Sequence, residues 1–153
     1  MRRADKEITE ISIIEEIINK ADVIRIAMVD GDQPYILAMN HVYLDGSIYM
    51  HSAKEGRKID VLKINSRVAF EVDTDVEILL REDACSCSTR YRSVVGTGKV
   101  TLIDDIEVKK QVLDAIMKKH TGRDSFEYSE KSFERTLIIK IDIDSMTGKK
   151  SGY

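Results

Sequence analysis

Cysteine is scarce in this 153-residue chain, and its two copies stand together as Cys85-Ser86-Cys87. That spacing is neither a redox C-x-x-C nor half of a zinc site with partners in view, so neither chemistry is supported. On a strand both thiols point to one face, which reads as a half-buried structural pair in a reducing compartment. Charge of one sign is also missing: acids and bases are mixed along the chain and leave a formal net charge of -3. No basic face suited to nucleic acid results. No apolar run approaches the length that crosses a bilayer, and Arg2 and Arg3 are followed at once by acids instead of an apolar segment. A soluble, cytoplasmic protein without membrane association is expected. Equally absent are G-x-S-x-G, H-E-x-x-H, a P-loop and a helix-opening G-x-G-x-x-G; Gly96-Thr97-Gly98 lies inside a strand pattern. His41, His51 and His120 are scattered without a ligand set, so no metal site is expected.

What is present suits one domain over residues 1–153. The hydrophobic fraction is 42%, enough for a single core. Ile13, Ile14, Ile17, Ile18 and Ala21 fall on one helical face and predict a helix over about 12–21, with Ser12 and Glu15 as a capping box. Val23–Val29, Tyr35–Met39 and Ser47–Ser52 are β-rich and separated by Asp30-Gly31 and Asp45-Gly46 turns, which predicts a three-stranded antiparallel meander. The sole proline, Pro34, opens the second of these strands. Further strands are predicted at Arg67–Asp73, at Tyr91–Ile103 and at Thr136–Asp144; Val76–Leu80 extends the sheet or crosses its edge. Gly96 and Gly98 share a face, which fits a bulge, a barrel bend or close approach of backbone or ligand. Between the last two strands, Asp104 looks like the N-cap of a helix that reaches His120 and stops at Thr121-Gly122. About six strands with tight turns and few helices point to a mainly β fold, an antiparallel barrel over about 22–148 with peripheral helices.

The chemically suggestive stretch is His51-Ser-Ala-Lys-Glu-Gly-Arg-Lys58, the end of a strand, a polar loop and the start of a short helix over about Arg57–Ile64. A hydroxyl at Ser52, backbone N–H groups at Gly56 and beyond, and the cations Arg57 and Lys58 are what an anionic phosphate needs. Two cations at a helix N-terminus oppose the helix dipole, so an anion there would relieve them. The bland alternative is a solvated Arg-Lys pair. His51 faces the opposite side of the strand from Ser52.

Ile26-Ala-Met-Val29, Pro34-Tyr35, His51-Ser-Ala-x-Glu-Gly-x-Lys-Ile-Asp60, Arg67-Val-x-Phe-Glu-Val-Asp73 and Tyr91-Arg-Ser-Val-x-Gly-x-Gly98 together resemble the Nim-type (5-nitroimidazole resistance) flavoproteins. That family belongs to the pyridoxamine-phosphate-oxidase-like split-barrel group, and the likeness runs from about residue 20 to Met146-Thr-Gly-Lys149. The resemblance implies a six-stranded split β-barrel, a homodimer, and FMN bound at the subunit interface. It implies that Ser52, Gly56, Arg57 and Lys58 hold the FMN phosphate, that Met39 and Asn40 lie by the isoalloxazine, and that Tyr91, Arg92 and Ser93 reach the cofactor from either subunit. His51 is the candidate catalytic residue, positioning or protonating a substrate; its alternative is a strand histidine that shapes the pocket. Arg92 is equally readable as an ion-pair partner of Glu71 or Asp73. Tyr35, Tyr43 and Tyr49 read as barrel packing. One departure stands out: the family commonly carries an aromatic shortly after the position of Cys85, where this chain has Ser86-Cys87-Ser88. The function implied is an FMN-dependent oxidoreductase acting on a small acceptor such as a nitroaromatic, with a nicotinamide donor. The alternatives are a flavin-binding module without turnover, or a split barrel that takes haem or a deazaflavin.

Overall fold

Strand patterns dominate the chain, and the computed structural model, which describes residues 4–153, is built around them; Arg2 and Arg3 lie outside the described residues. In chain order the elements are β1 (Glu7–Ile8), α1 (Ile11–Lys20), β2 (Val23–Asp30), β3 (Gln33–Asn40), β4 (Val42–Leu44), β5 (Ser47–Ala53), α2 (Arg57–Ile64), β6 (Arg67–Leu79), β7 (Ser88–Ile103), α3 (Ile106–Thr121), α4 (Glu130–Glu134) and β8 (Thr136–Ser151). The sheet runs β3-β2-β6-β7-β8-β5-β4, with β1 added on β8, and every pairing is antiparallel. Six long strands carry it, and its two ends, β3 and β4, do not pair with each other; β4 covers β5 only from Ser47 to Tyr49, so the barrel is split along a seam between β3 and the rest of β5. Pro34 lies on edge strand β3, where its missing N–H costs no ladder bond.

Inward-facing alternation makes the core. Ile24, Ile26 and Met28 of β2 meet Val68, Phe70 and Val72 of β6, Val94 of β7, Ile139 and Ile141 of β8 and Ile48 and Met50 of β5. α1 adds Ile14, Ile17 and Ile18, and α2 adds Ile59, Val61 and Leu62. A second cluster, Val42, Val112, Ile116 and Ile138, lies on the outer side of the sheet under α3.

Several sequence expectations are corrected. The three-strand meander does not form: β5 pairs with β4 and β8, not β3. The chain breaks away at His41, whose ring is wholly buried with Nε2 2.9 Å from the Ile18 carbonyl. α1 is capped by Glu10, without a side-chain bond, so Ser12 is not its cap. In α3 the N-cap is Asp105, whose carboxylate accepts from the Val108 N–H, and Asp104 stands one residue outside. Cys85 and Cys87 are both exposed, because residues 80–87 form the polar tip of an arm made by the far ends of β6 and β7. Val76–Leu80 extends β6 as expected for one of its two readings, after a register shift between Thr74 and Glu77 where Asp75 takes φ 56°. β8 runs on to Ser151, past the predicted end. A register shift opposite Thr97 and Gly98 skips Asp144, so the inward set changes from Ile139 and Ile141 to Met146 and Gly148, and the sequence alternation is lost there.

Candidate functional site at the seam

β5 brings the first polar group to the seam. Ile48 and Met50 point inward and are fully buried, so alternation turns Ser52 inward as well, and its Oγ is buried with no hydrogen-bond partner among the described residues. A buried hydroxyl without a partner is a costly arrangement that a ligand oxygen would relieve. Beyond Ala53 the chain turns through Gly56 at φ 113°, a conformation side chains rarely adopt, and enters α2. The Ile59 and Asp60 N–H groups bond back to the Gly56 carbonyl at 2.8 and 3.2 Å, which leaves the helix's first N–H groups open toward the loop. Buried Ile59 and Leu62 hold α2 against the barrel, roughly 1.5–3 kcal/mol each.

The two cations of this turn diverge. The Arg57 guanidinium donates from Nε to Asp30 Oδ2 at 2.8 Å and stacks 4.6 Å over the Tyr35 ring, so it clasps α2 to the β2–β3 hairpin. Lys58 instead points into the seam, half-buried, with Nζ 3.9 Å from Met39 Sδ and no carboxylate paired with it among the described residues. Burial pushes its pKa down, as expected for a cation lacking a counter-ion. His51 projects from the other face of β5, exposed at its rim, and its pKa is lowered by burial first and by Lys58 second. Both effects favour the neutral imidazole.

Met39, Ser52, Gly56 and Lys58 thus come together at one seam, with His51 at its margin, while Arg57 turns away from them to the β2–β3 hairpin. The remaining candidates do not join them within one chain. Asn40 faces away from Met39 on β3, and its amide donates to the Asp22 carbonyl at 3.3 Å. Tyr91, Arg92 and Ser93 pair with Ser151, Lys150 and Lys149, whereas Ser52 lies beside Leu137 near the opposite end of β8. Ser93 to Ile103, the rung opposite Ile138, is about 30 Å of strand. Lys149 lies 5.5 Å over the Tyr91 ring. Arg92 pairs loosely with Glu16 and Asp75 at 3.8 and 3.9 Å and stacks on Tyr153. The ion-pair reading of Arg92 is corrected accordingly: Glu71 and Asp73 are held by Arg25, which reaches both from the neighbouring strand.

Sequence reasoning missed Asp30 and Tyr35 as the partners of Arg57, reading one as a turn residue and the other as packing. It also missed Lys54, Asp104 and Lys109, which form an ionic cluster beside the loop. Only the proximity of Lys54 to Ser52 hinted at them. Among the described residues, no group of three or more His, Cys, Asp or Glu could hold a metal ion, and no helix is long and apolar enough to cross a membrane.

Residues 10–150 match the family model described as pyridoxamine 5'-phosphate oxidase. The fold is similar to a crystal structure of a candidate 5-nitroimidazole antibiotic resistance protein from Bacteroides thetaiotaomicron VPI-5482, at 34% identity over 94% of this chain and 86% of that one, TM-score 0.83. The FAD and haem binding protein from Mycobacterium smegmatis aligns at 18% identity over 97% and 74% of the two chains, TM-score 0.84. The flavocytochrome Anf3 from Azotobacter vinelandii aligns at 16% over 100% and 72%, TM-score 0.84. At such identities these two likenesses carry the fold alone. No curated protein matches the chain.

Proposed function

The chain belongs to the pyridoxamine 5'-phosphate oxidase family and is similar to a candidate 5-nitroimidazole resistance protein, and on that premise we propose that it is a flavin-binding protein. FMN is the cofactor of this reading, and the reaction is an oxidoreduction of a small acceptor, nitroaromatics included, with a nicotinamide donor. The observation that carries it is that, among the described residues, a buried hydroxyl without a partner, Ser52, and a half-buried amine without a counter-ion, Lys58, both flank one open helix start. A phosphate satisfies all three at once. It accepts from the hydroxyl and the helix N–H groups and neutralises the amine.

In this reading Ser52, Lys58 and the turn at Gly56 hold the phosphate, and Arg57 keeps the turn in place through Asp30 and Tyr35. Bound flavin would supply reversible uptake of one or two electrons. His51, neutral beside Lys58, offers a hydrogen bond or accepts a proton from a substrate at the mouth of the seam. A homodimer completes the site. Its support is the uncovered outer face of β3, β2, β6 and β7, where Val23, Val29, Ile36 and Val95 are exposed around the Arg25–Glu71–Asp73 ion pairs, Ile36 by 63%. In such a pair Tyr91, Arg92, Ser93 and Asn40 approach the cofactor of the partner subunit. Free thiols at Cys85 and Cys87 go with a cytoplasmic location.

The test is the absorbance spectrum of purified protein titrated with FMN. A flavin spectrum with bleaching by NADH or NADPH, followed by reoxidation with a nitroimidazole, is the expected result. Flavin binding without bleaching indicates a carrier, a Soret band the haem reading, and rejection of FMN removes the proposal. Lys58→Met is expected to weaken FMN binding by about tenfold or more, since a charge-assisted hydrogen bond is lost. Arg57→Ala should cost less, because Arg57 is already engaged by Asp30.

A further inference from the structure

The loop that leaves Ser52 is tied to a fixed point outside the seam. Lys54 donates from Nζ to Asp104 Oδ2 at 2.6 Å, and the other carboxylate oxygen of Asp104 is taken by the amine of Lys109. The ends of this bridge differ in freedom. Lys109 lies on α3 with a side chain only 4% exposed, 5.7 Å under the Phe133 ring of α4. Removing its carboxylate would strand a buried ammonium, so the Asp104–Lys109 contact cannot drift. Asp105 caps the same helix through the Val108 N–H at 3.0 Å, which holds the adjoining backbone as well. Lys54, in contrast, is partly exposed, and an exposed ion pair adds little to folding stability. What the pair does add is direction. It draws Lys54 away from the seam and hangs the 53–56 loop from α3.

We propose that Asp104 is a positioning residue for the flavin phosphate, acting through Lys54 with buried Lys109 as its anchor. The proposal rests on the reading that Ser52 and Lys58 hold that phosphate. With the tether in place the turn at Gly56 starts from a set position, so that the Ser52 hydroxyl, the helix N–H groups and Lys58 converge on one point. Without it the loop gains freedom that must be lost again on binding. The carboxyl of Asp104 is held below the usual carboxylate range by Lys109 first and Lys54 second, so this carboxylate is ionised near neutral pH.

FMN and riboflavin, which differ only in the phosphate, separate this role from a structural one. Their dissociation constants are measured by flavin fluorescence for the wild type, Asp104→Asn, Lys54→Met and Lys58→Met. Asp104→Asn and Lys54→Met are expected to weaken FMN by about tenfold while riboflavin stays within about twofold, the size of an ordering cost for the freed loop. Lys54→Met touches only the exposed end, so it answers the question even where Asp104→Asn harms folding. The tether is overturned if both variants keep the wild-type ratio of FMN to riboflavin affinity. It is overturned equally if Asp104→Asn tightens FMN, because Lys54 would then be a phosphate ligand held in reserve. A wild type that does not prefer FMN to riboflavin, with Lys58→Met equally indifferent, removes the phosphate reading itself and the tether with it.

Discussion

Direction, more than residue type, decides what single side chains do here. His41 is one such residue: in the sequence it is one of three scattered histidines, and in the fold it is fully buried beneath α1 with Lys119 Nζ 3.4 Å from its Nε2. Burial, then Lys119, lowers its pKa from 6.5 to about 4. The folded value lies below the unfolded one, so the unfolded chain takes up the proton first, and the stabilisation present above pH 6.5 is lost as pH falls through about 4. The shift corresponds to about 3 kcal/mol across that window. Urea unfolding followed from pH 7 to pH 4.5 should show a falling midpoint, and the His41 ring resonance should not titrate above pH 5; a ring that titrates near 6.5 would contradict its burial. The same lesson holds at the seam. Arg57 and Lys58 are adjacent in sequence and were read as one grip, but neighbouring residues on a helix point about 100° apart. One reaches Asp30 and the other the seam. Their types were legible in the sequence and their partners were not, because a partner is a matter of which strand lies opposite. Arg25 takes the Glu71 and Asp73 partners expected of Arg92 for that reason.

The elements were legible where their patterns were regular. β2, β6 as far as Asp73, α2 and α3 follow from alternation or helical spacing, and the α3 stop at Gly122 is a left-handed C-cap with φ 71°. They were illegible where a bulge changes parity, as at Asp75 and Asp144, since one extra residue inverts every later inward position. α4 is five residues with one Ser129 cap and too short to show a period. Gly96 tests the element-level account. A Cβ placed on it would stand 2.3 Å from Phe70 Cζ and 2.7 Å from the Ser145 carbonyl, so the strand pair β6–β7 closes only because glycine is there. Gly96→Ala should destabilise by about 1–3 kcal/mol in thermal or denaturant unfolding. Adding Phe70→Leu should recover part of the loss, and wild-type stability in the single variant would show that Phe70 moves freely.

At the scale of the whole molecule, the open seam and the mixed outer face are two aspects of one unclosed sheet. The seam leaves the Ser52 edge uncovered by β3, and the outer face leaves Val23, Val29, Ile36 and Val95 without a covering layer. Light scattering is expected to give twice the chain mass, and Ile36→Asp should shift it toward the monomer and weaken FMN together. A monomeric wild type that still binds FMN tightly would place the whole site in one chain and leave Tyr91, Arg92 and Ser93 without a part in it. Taken alone, the sequence determined the class of fold, the core-facing set of most strands and the gathering of a hydroxyl, a glycine turn and two cations between Ser52 and Lys58, because these depend on local period and on residue type within a short stretch of chain. Only the tertiary structure decided that Lys58 and not Arg57 faces the seam, that β5 joins β8, and that Asp104 reaches Lys54 and Lys109. Those facts depend on strand order and register, which bring together residues as far apart as Lys54 and Asp104 and are set by packing energy summed over the entire sheet.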